Sequence, residues 1–250
     1  MFTGLVFTGW LFLPDKFARV FLGFIIFCLL TSCVYLFNDI IDAPKDKLHP
    51  LKQKRPIASG RLALPYAVFT AITLAFIGLF LAINLSFFFF LLSLAYLALH
   101  FCYTLFLKNI AIIDVLTLAS GFILRVYAGA VVIDTHINIW LLLCVISFSL
   151  FLAVGKRRSE LTLLSATPSF GETRKVLFSY PERLLDLYIS MFANTTWLTY
   201  AWFAFVYPIN IPAERLIHLW TDIPRTFRSE KWLMLTIPLV IYGVMRYLQL

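Results

Sequence analysis

The stretch FNDIIDAPKDKLHPLKQKRPIASGR, residues 37–61, separates two long apolar segments at residues 17–37 and 64–83. It gathers three carboxylates and six Lys or Arg residues in a chain that is otherwise strongly apolar. A helix needs about 20 apolar residues to cross a bilayer, because lipid offers no partner for an unpaired peptide group. We therefore predict that the apolar segments are membrane-spanning helices and that the polar stretch lies at the membrane surface.

The composition of the whole chain is that of a protein with several membrane-spanning helices. Of its 250 residues, 61% are hydrophobic and 14% are charged, whereas soluble domains contain about 25% charged residues. We predict an all-α, polytopic transmembrane helical bundle that forms a single domain over residues 1–250. Because the first apolar segment is too short to span and the last runs to Leu250, we expect both ends to be trimmed. The eight segments are 1–13, 17–37, 64–83, 87–106, 111–132, 139–155, 184–206 and 232–250.

Basic residues are concentrated in alternate loops. The loops at 43–62 and 156–183 carry six Lys or Arg each, and the turns at 84–86 and 133–138 carry none. Cytoplasmic loops are enriched in these residues, so both basic loops are predicted to face the cytoplasm, and the alternation places the loop at 207–230 outside. The net charge of +8 therefore follows membrane topology, and we expect no nucleic-acid partner.

The second apolar segment is followed by four side chains that carry oxygen donors: Asn38, Asp39, Asp42 and Asp46. If the helix continues this far, Asn38 and Asp42 are one turn apart and Asp39 lies on an overlapping face. Pro44 disfavours helical geometry, so Asp46 is predicted to return from a turn. Oxygen donors without His or Cys suit Mg²⁺, which usually shares its ligand shell with substrate phosphates. All four residues are predicted metal ligands.

The alternative for this cluster is a solvated helix end whose carboxylates are balanced by Lys45 and Lys47. Ionisable residues are costly at a membrane and are more often functional there than incidental. We therefore favour the metal site.

The basic part of the same stretch supplies Lys52, Lys54, Arg55 and Arg61, around two prolines and a glycine. Arginine offers a planar fork to phosphate oxygens and lysine a compact charge. These residues are predicted to bind phosphate beside the metal. The alternative is that their charge reflects topology alone, because cytoplasmic loops are basic in any case.

A second polar face follows the sixth apolar segment, in GKRRSEL at residues 155–161. Lys156 and Glu160 are four residues apart on a helix, with Arg157 on a neighbouring face. Lys156 and Arg157 are predicted to bind phosphoryl oxygens, and Glu160 to orient them or to help hold the metal or a sugar. A membrane anchor with an intrahelical ion pair remains the alternative.

Charged and polar residues also occur in the fourth and fifth segments. Asp114 and Arg125 are about three helical turns apart, so both could point into the bundle. There, a structural ion pair between segments and a substrate role remain open. Tyr103 and Lys108, at the cytoplasmic end of the fourth segment, could reach the rim of a cavity.

The stretch NDIIDAPKDKLHPLKQKRPIASG resembles the first Asp-rich motif of the UbiA superfamily of intramembrane prenyltransferases. Together with GKRRSEL, it is similar to one branch, the decaprenyl-phosphate phosphoribosyltransferases. The resemblance covers most of the chain, and its sharp motifs occupy residues 38–61 and 156–161. It implies about nine transmembrane helices around a cavity that opens toward lipid, of which eight are visible as apolar segments.

The resemblance implies a catalytic domain. Conventional members hold Mg²⁺ and a prenyl diphosphate on two Asp-rich motifs, but the second motif is replaced here by Lys156, Arg157 and Arg158 with Glu160. This favours a donor with a metal-bound diphosphate and a further phosphate, as in phosphoribosyl diphosphate. Asp39 and Asp42 would then be the catalytic residues. The other predicted substrate-binding residues are Lys52, Lys54, Arg55, Tyr103, Lys108 and Arg125.

The predicted reaction is Mg²⁺-dependent transfer of 5-phosphoribosyl from phosphoribosyl diphosphate to a membrane polyprenyl phosphate, with release of diphosphate. One alternative is a conventional prenyltransferase with an aromatic acceptor, and another is a non-enzymatic lipid-phosphate binder or transporter. The resemblance implies a bacterial inner membrane protein, in contact with membrane lipid, whose site faces the cytoplasm. Assembly as a homo-oligomer is left open.

Overall fold

The structure is a computed structural model that describes residues 1–47, 52–165, 180–207 and 231–249. Within these residues it contains eight α-helices and no β-strand, and each predicted apolar segment overlaps one of the helices. The all-α prediction is therefore confirmed. The helices are α1 (Thr3–Phe7), α2 (Pro14–Asp46), α3 (Leu64–Leu85), α4 (Phe87–Leu105), α5 (Ile113–Val132), α6 (Ile139–Ser165), α7 (Glu182–Val206) and α8 (Ile237–Gln249).

Five of the helices, α2 to α6, are long and apolar enough to cross a membrane. The first apolar segment forms only the five-residue helix α1 and a short 3₁₀ turn, as its length predicts. Consecutive helices pack side by side, α2 on α3, α4 on α5 and α6 on α7, and α5 also packs on α6. The predicted outer loop lies, apart from Tyr207, outside the described residues, and so do residues 166–179 of the second basic loop.

Helix α3 separates small residues on one face from large apolar residues on the other. The small face packs on α2, where a Cβ added at Gly78 would lie 2.6 Å from Leu30 Cδ2. Small residues allow helix backbones to approach closely, and the large exposed side chains suit contact with lipid. The buried small residues are Ala67, Ala71, Gly78 and Ala82, and the exposed ones include Phe69, Ile72, Phe76 and Phe80.

The prediction that the chain turns before Asp46 is wrong, because α2 continues through Pro44 to Asp46. Proline removes one backbone hydrogen bond and disfavours helix at the preceding residue. Here it lies near the end of the helix, and the Lys47 N–H still donates to the carbonyl of Ala43 at 3.3 Å, so the last turn closes. Asp46 is consequently a further position on the face that carries Asp39.

Helix α6 extends ten residues beyond its predicted end at residue 155, to Ser165. Lys156, Arg157 and Glu160 are therefore helical, as their spacing predicts. The loop after α2 meets the last part of α6 at one end of the bundle, where Lys52 Nζ lies 3.6 Å from Glu160 Oε1. This end contains the candidate site.

Candidate active site

The acidic half of the site lies on the last turns of α2. Asp39 and Asp46 are seven residues apart, about two helical turns, with Asp42 between them. Asp46 is buried, whereas Asp39 and Asp42 are partly exposed. The helix therefore presents its three carboxylates, with Asn38, on neighbouring faces of one helix end.

Arg55 joins two of these carboxylates. Its Nη1 donates to Asp39 Oδ1 at 2.7 Å and to Asp46 Oδ2 at 2.8 Å. The side chain of Arg55 is 35% exposed, so these bonds are open to solvent on one side. The residue lies in a short turn after Lys52–Lys54, in the loop between α2 and α3. This described part of the loop thus lies over the acidic end of α2.

The connection between α4 and α5 supplies the partner of the third carboxylate. Lys108 Nζ donates to Asp42 Oδ1 at 2.5 Å, and the lysine is buried. One turn earlier, the Thr104 hydroxyl donates to Asn38 Oδ1 at 3.4 Å. A cation therefore contacts each of the three carboxylates: Arg55 for two and Lys108 for one.

The second half of the site is centred on Arg157, which is 0% exposed although it is charged. Its Nε lies 2.5 Å from Asp114 Oδ2, and its Nη1 donates to Glu160 Oε2 at 2.7 Å. Its Nη2 donates to the Tyr103 hydroxyl at 2.8 Å. A guanidinium that makes three such contacts is held in one orientation, because breaking any of them would leave a buried charge poorly paired.

Asp114 has a second partner in Tyr180, just before α7. The Tyr180 hydroxyl donates to Asp114 Oδ1 at 2.6 Å and accepts from the backbone N–H of Ile112. Burial raises the pKa of Tyr180 to about 12, and the hydrogen bond to Asp114 acts in the same direction. The hydroxyl is therefore protonated at neutral pH and can serve as the donor.

The two halves are connected through Glu160 and Lys52. Glu160 is 18% exposed in its side chain and Lys52 is 35% exposed, so both are accessible where the loop after α2 meets α6. Lys156 and Lys54 are also exposed at this end of the bundle. Accessible cations thus border both the acidic cluster and Glu160.

Arg125 lies apart from these contacts. Its guanidinium carbon is 4.9 Å from the ring of Phe122 and 5.5 Å from the ring of Tyr96. Its Nε is buried and has no hydrogen-bond partner in the described parts of the chain. Asp114 forms an ion pair between helices, but with Arg157.

Sequence reasoning missed Thr104 and Tyr180, and it did not pair Asp114 with Arg157. Thr104 and Tyr180 carry no local signal, since one lies in an apolar helix and the other in a loop. Asp114 could be recognised in the sequence as a charged residue within an apolar segment. Its partner could not be identified because partner choice depends on how α5 and α6 pack.

The carboxylates of α2 suit the predicted Mg²⁺ only in combination with a ligand. In the described residues, no group of three or more His, Cys, Asp or Glu side chains is close enough to hold a metal ion by itself. Mg²⁺, however, keeps several waters and commonly uses one or two carboxylates with substrate phosphates. The oxygen donors of α2 fit a Mg²⁺ ion that binds together with a diphosphate, and they do not form a preformed cage.

The fold and the charged end of the bundle define an integral membrane protein with a polar site at one end of its helices. Residues 1–211 match the UbiA prenyltransferase family, so the chain belongs to that family. The predicted family is therefore confirmed.

Curated relatives are similar over most of this chain. A decaprenyl-phosphate phosphoribosyltransferase of Mycolicibacterium smegmatis is 35% identical over 195 residues, which are 76% of this chain and 59% of that protein. A protein of the same name from Mycobacterium tuberculosis is 34% identical over 192 residues, 75% of this chain and 62% of that protein. The chain thus spans about three fifths of the length of these relatives.

Solved structures have the same fold. A UbiA homologue of Archaeoglobus fulgidus bound to GPP and Mg²⁺ aligns with a TM-score of 0.67 and 19% identity, over 92% of this chain and 86% of that chain. The apo structure of a UbiA homologue of Aeropyrum pernix K1 aligns with a TM-score of 0.60 and 18% identity, over 95% and 96%. At these identities the likeness supports the fold alone.

Proposed function

We propose that the protein is a Mg²⁺-dependent enzyme that transfers 5-phosphoribosyl from phosphoribosyl diphosphate to a membrane polyprenyl phosphate and releases diphosphate. The observation that carries the proposal is the asymmetry of the site. One half has three carboxylates on α2, and the accessible part of the other half has cations around Glu160 on α6. The names of the curated relatives support the same reaction.

The acidic half would bind the diphosphate of the donor. Asn38, Asp39, Asp42 and Asp46 would supply oxygen ligands, and the metal when bound would neutralise the diphosphate as a leaving group. Arg55 and Lys108 already lie on the carboxylates, within reach of a diphosphate held there. Both would then exchange carboxylate oxygens for phosphate oxygens, which guanidinium and ammonium groups bind well.

The proposed transfer requires no catalytic base. An oxygen of the lipid phosphate forms a bond to C1 of the ribosyl group, and the bond from C1 to the diphosphate oxygen breaks. The diphosphate leaves with that electron pair. Because the lipid phosphate is already anionic, no proton has to be removed, and positioning with charge stabilisation provides most of the rate.

The cations of the second half would bind the remaining phosphates. Lys52, Lys54 and Lys156 are accessible at this end of the bundle, and we assign them to the 5-phosphate of the donor or to the head group of the lipid. Arg157 is 1% exposed in its side chain and contacts three protein groups. Its geometry favours a positioning role over direct phosphate binding.

The site would face the cytoplasm of a bacterial inner membrane. The proposal is supported by the sequence, in which residues 43–62 and 156–183 carry six Lys or Arg each, as cytoplasmic segments commonly do. A soluble donor such as phosphoribosyl diphosphate would reach the site from this side. The lipid tail would lie along the apolar helices, whose exposed faces are rich in phenylalanine.

A conventional prenyltransferase activity is the second candidate. It is favoured by the acidic cluster on α2, whose oxygen donors would suit Mg²⁺ with a prenyl diphosphate equally well. The cations of GKRRSEL disfavour it, because a second metal-binding motif would require carboxylates at that place.

The test is diphosphate release from purified protein in detergent with Mg²⁺ and a polyprenyl phosphate. One arm contains phosphoribosyl diphosphate, and the other a prenyl diphosphate with an aromatic acceptor. Release only in the first arm supports the proposal, and release only in the second supports the conventional reaction. Lipid binding without release in either arm would favour a binder or transporter.

A further inference from the structure

Glu160 is an anionic side chain in a cationic surrounding. Its Oε2 accepts from Arg157 at 2.7 Å, and its Oε1 lies 3.6 Å from Lys52 Nζ. Lys156 is on the same helix, one turn before it. A carboxylate repels phosphate groups, so the part of a bound donor that contacts Glu160 would have to be a hydrogen-bond donor and not a phosphate.

The carboxylate is held firmly in place by its neighbour. The Arg157 side chain is 1% exposed and the Asp114 side chain is 0% exposed. Tyr103 contacts a third nitrogen of the same guanidinium, so Arg157 is fixed by groups from α4, α5 and α6. Glu160 nevertheless remains 18% exposed. It is therefore both oriented by the protein and accessible to a ligand.

In the proposed binding mode, the ribosyl group of the donor would lie beside Glu160. The diphosphate of the donor would lie on the α2 cluster and its 5-phosphate on the lysines, with the ribose ring between them. Glu160 and Lys52 meet where these two halves join. A carboxylate accepts hydrogen bonds from hydroxyl groups strongly, because the acceptor is charged.

We propose that Glu160 accepts a hydrogen bond from at least one of the vicinal 2- and 3-hydroxyls of the ribosyl donor, and that Arg157 is the residue that positions it. The inference rests on the proposed phosphoribosyl transfer. It makes Glu160 a specificity residue that distinguishes ribosyl donors from donors that lack these hydroxyls, including prenyl diphosphates. Arg157 acts on the substrate only through Glu160.

The experiment compares kcat/KM for phosphoribosyl diphosphate with its 2-deoxy and 3-deoxy analogues, in the wild type and Glu160→Gln. The wild type is expected to prefer the ribosyl donor over at least one analogue by roughly 10- to 100-fold, the range of a charged hydrogen bond. Glu160→Gln is expected to lose most of that preference, because activity with the ribosyl donor falls while activity with that analogue changes little.

Arg157→Lys tests the positioning role. It retains the charge but cannot contact three partners in the fixed geometry of guanidinium. We expect the KM for the ribosyl donor to rise and the preference over the deoxy analogue to fall, whereas a merely structural loss would lower activity with every donor alike. Glu182→Gln is the control, since Glu182 pairs with Arg158 away from this contact, and its donor preference is expected to match the wild type.

The outcomes separate the inference from the proposed function. If the wild type uses none of the ribosyl donors, the proposed function fails and the inference with it. If the wild type is active and Glu160→Gln slows all donors equally, or leaves the preference unchanged, only the inference fails. Should Glu160→Gln not fold, Glu160→Asp makes the same comparison, because it keeps the charge but withdraws the carboxylate by one methylene.

Discussion

Arg55 spans two turns of α2 by donating from one nitrogen to Asp39 at 2.7 Å and to Asp46 at 2.8 Å. A single cation thus balances two carboxylates that would otherwise repel each other. The same nitrogen occupies the side of the helix end where a metal-bound diphosphate would have to bind. In the proposed mechanism, Arg55 and the metal would therefore compete for the same oxygens.

Replacing Arg55 with Ala is expected to change how the protein responds to Mg²⁺ alone. With its carboxylates released, the variant should gain more thermal stability from Mg²⁺ than the wild type does, because binding stabilises the state that binds. Its KM for the diphosphate donor should rise, because the guanidinium proposed to bind the diphosphate is lost. Thermal unfolding with and without Mg²⁺ checks the first expectation, and an equal Mg²⁺ shift in both proteins would contradict it.

Asp42→Asn is expected to abolish turnover while the protein still folds. The amide has a similar shape and can still accept from Lys108, but it is a poor metal ligand. We expect a loss of stability of about 1–3 kcal/mol from the weaker contact with a buried lysine. Diphosphate release and thermal unfolding measure the two effects. Asp186→Asn, at an exposed ion pair with Arg158, is the control, and near-normal turnover in Asp42→Asn would refute the metal assignment.

Lys156→Ala is expected to weaken use of the soluble donor more than use of the lipid. Lys156 is exposed on α6 beside Glu160, so its removal should raise the KM for phosphoribosyl diphosphate while stability stays near that of the wild type. Steady-state kinetics with each substrate varied in turn provide the measurement. Unchanged donor kinetics would support the view that Lys156 only anchors the helix at the membrane surface.

Arg157 and Arg158 are adjacent in sequence but should differ greatly in their effect on stability. Arg157→Met leaves Asp114 buried without its cation, and breaking such a pair costs about 3–5 kcal/mol. Arg158 is 27% exposed in its side chain and pairs with Glu182 and Asp186, both more than half exposed. Exposed pairs contribute about 0–1 kcal/mol, so Arg158→Ala should unfold near the wild-type midpoint. Comparable destabilisation in both variants would be inconsistent with the buried network.

Gly78 and Gly243 provide a matched pair for the packing of the bundle. A Cβ at Gly78 would lie 2.6 Å from Leu30 Cδ2, whereas a Cβ at Gly243 has nothing within 4 Å. Gly78→Ala is expected to destabilise the protein by about 1–3 kcal/mol through overpacking. Gly243→Ala is expected to stabilise α8 by about 0.5–1 kcal/mol through helix propensity. Thermal unfolding distinguishes the two variants. The destabilisation caused by Gly78→Ala should be smaller in a Leu30→Ala background than in the wild type.

The helices could be predicted because membrane spans depend on local apolar length, which the sequence states directly. The end of α2 could not be predicted, because the helix continues past Pro44 although proline usually ends a helix. The grouping of Asn38, Asp39 and Asp42 on one helix end followed from spacing. The pairing of cations with carboxylates did not follow from spacing, because Arg55 and Lys108 reach the carboxylates from separate loops.

The pair formed by Asp114 and Arg157 has a consequence for how the protein enters the membrane. Asp114 is in the first turn of α5 and Arg157 is in the last part of α6, and the two helices are consecutive and pack together. Both members of the pair therefore belong to one helical hairpin, residues 113–165. Asp114 and Arg157 can therefore neutralise each other within this hairpin during insertion, before any other helix has docked.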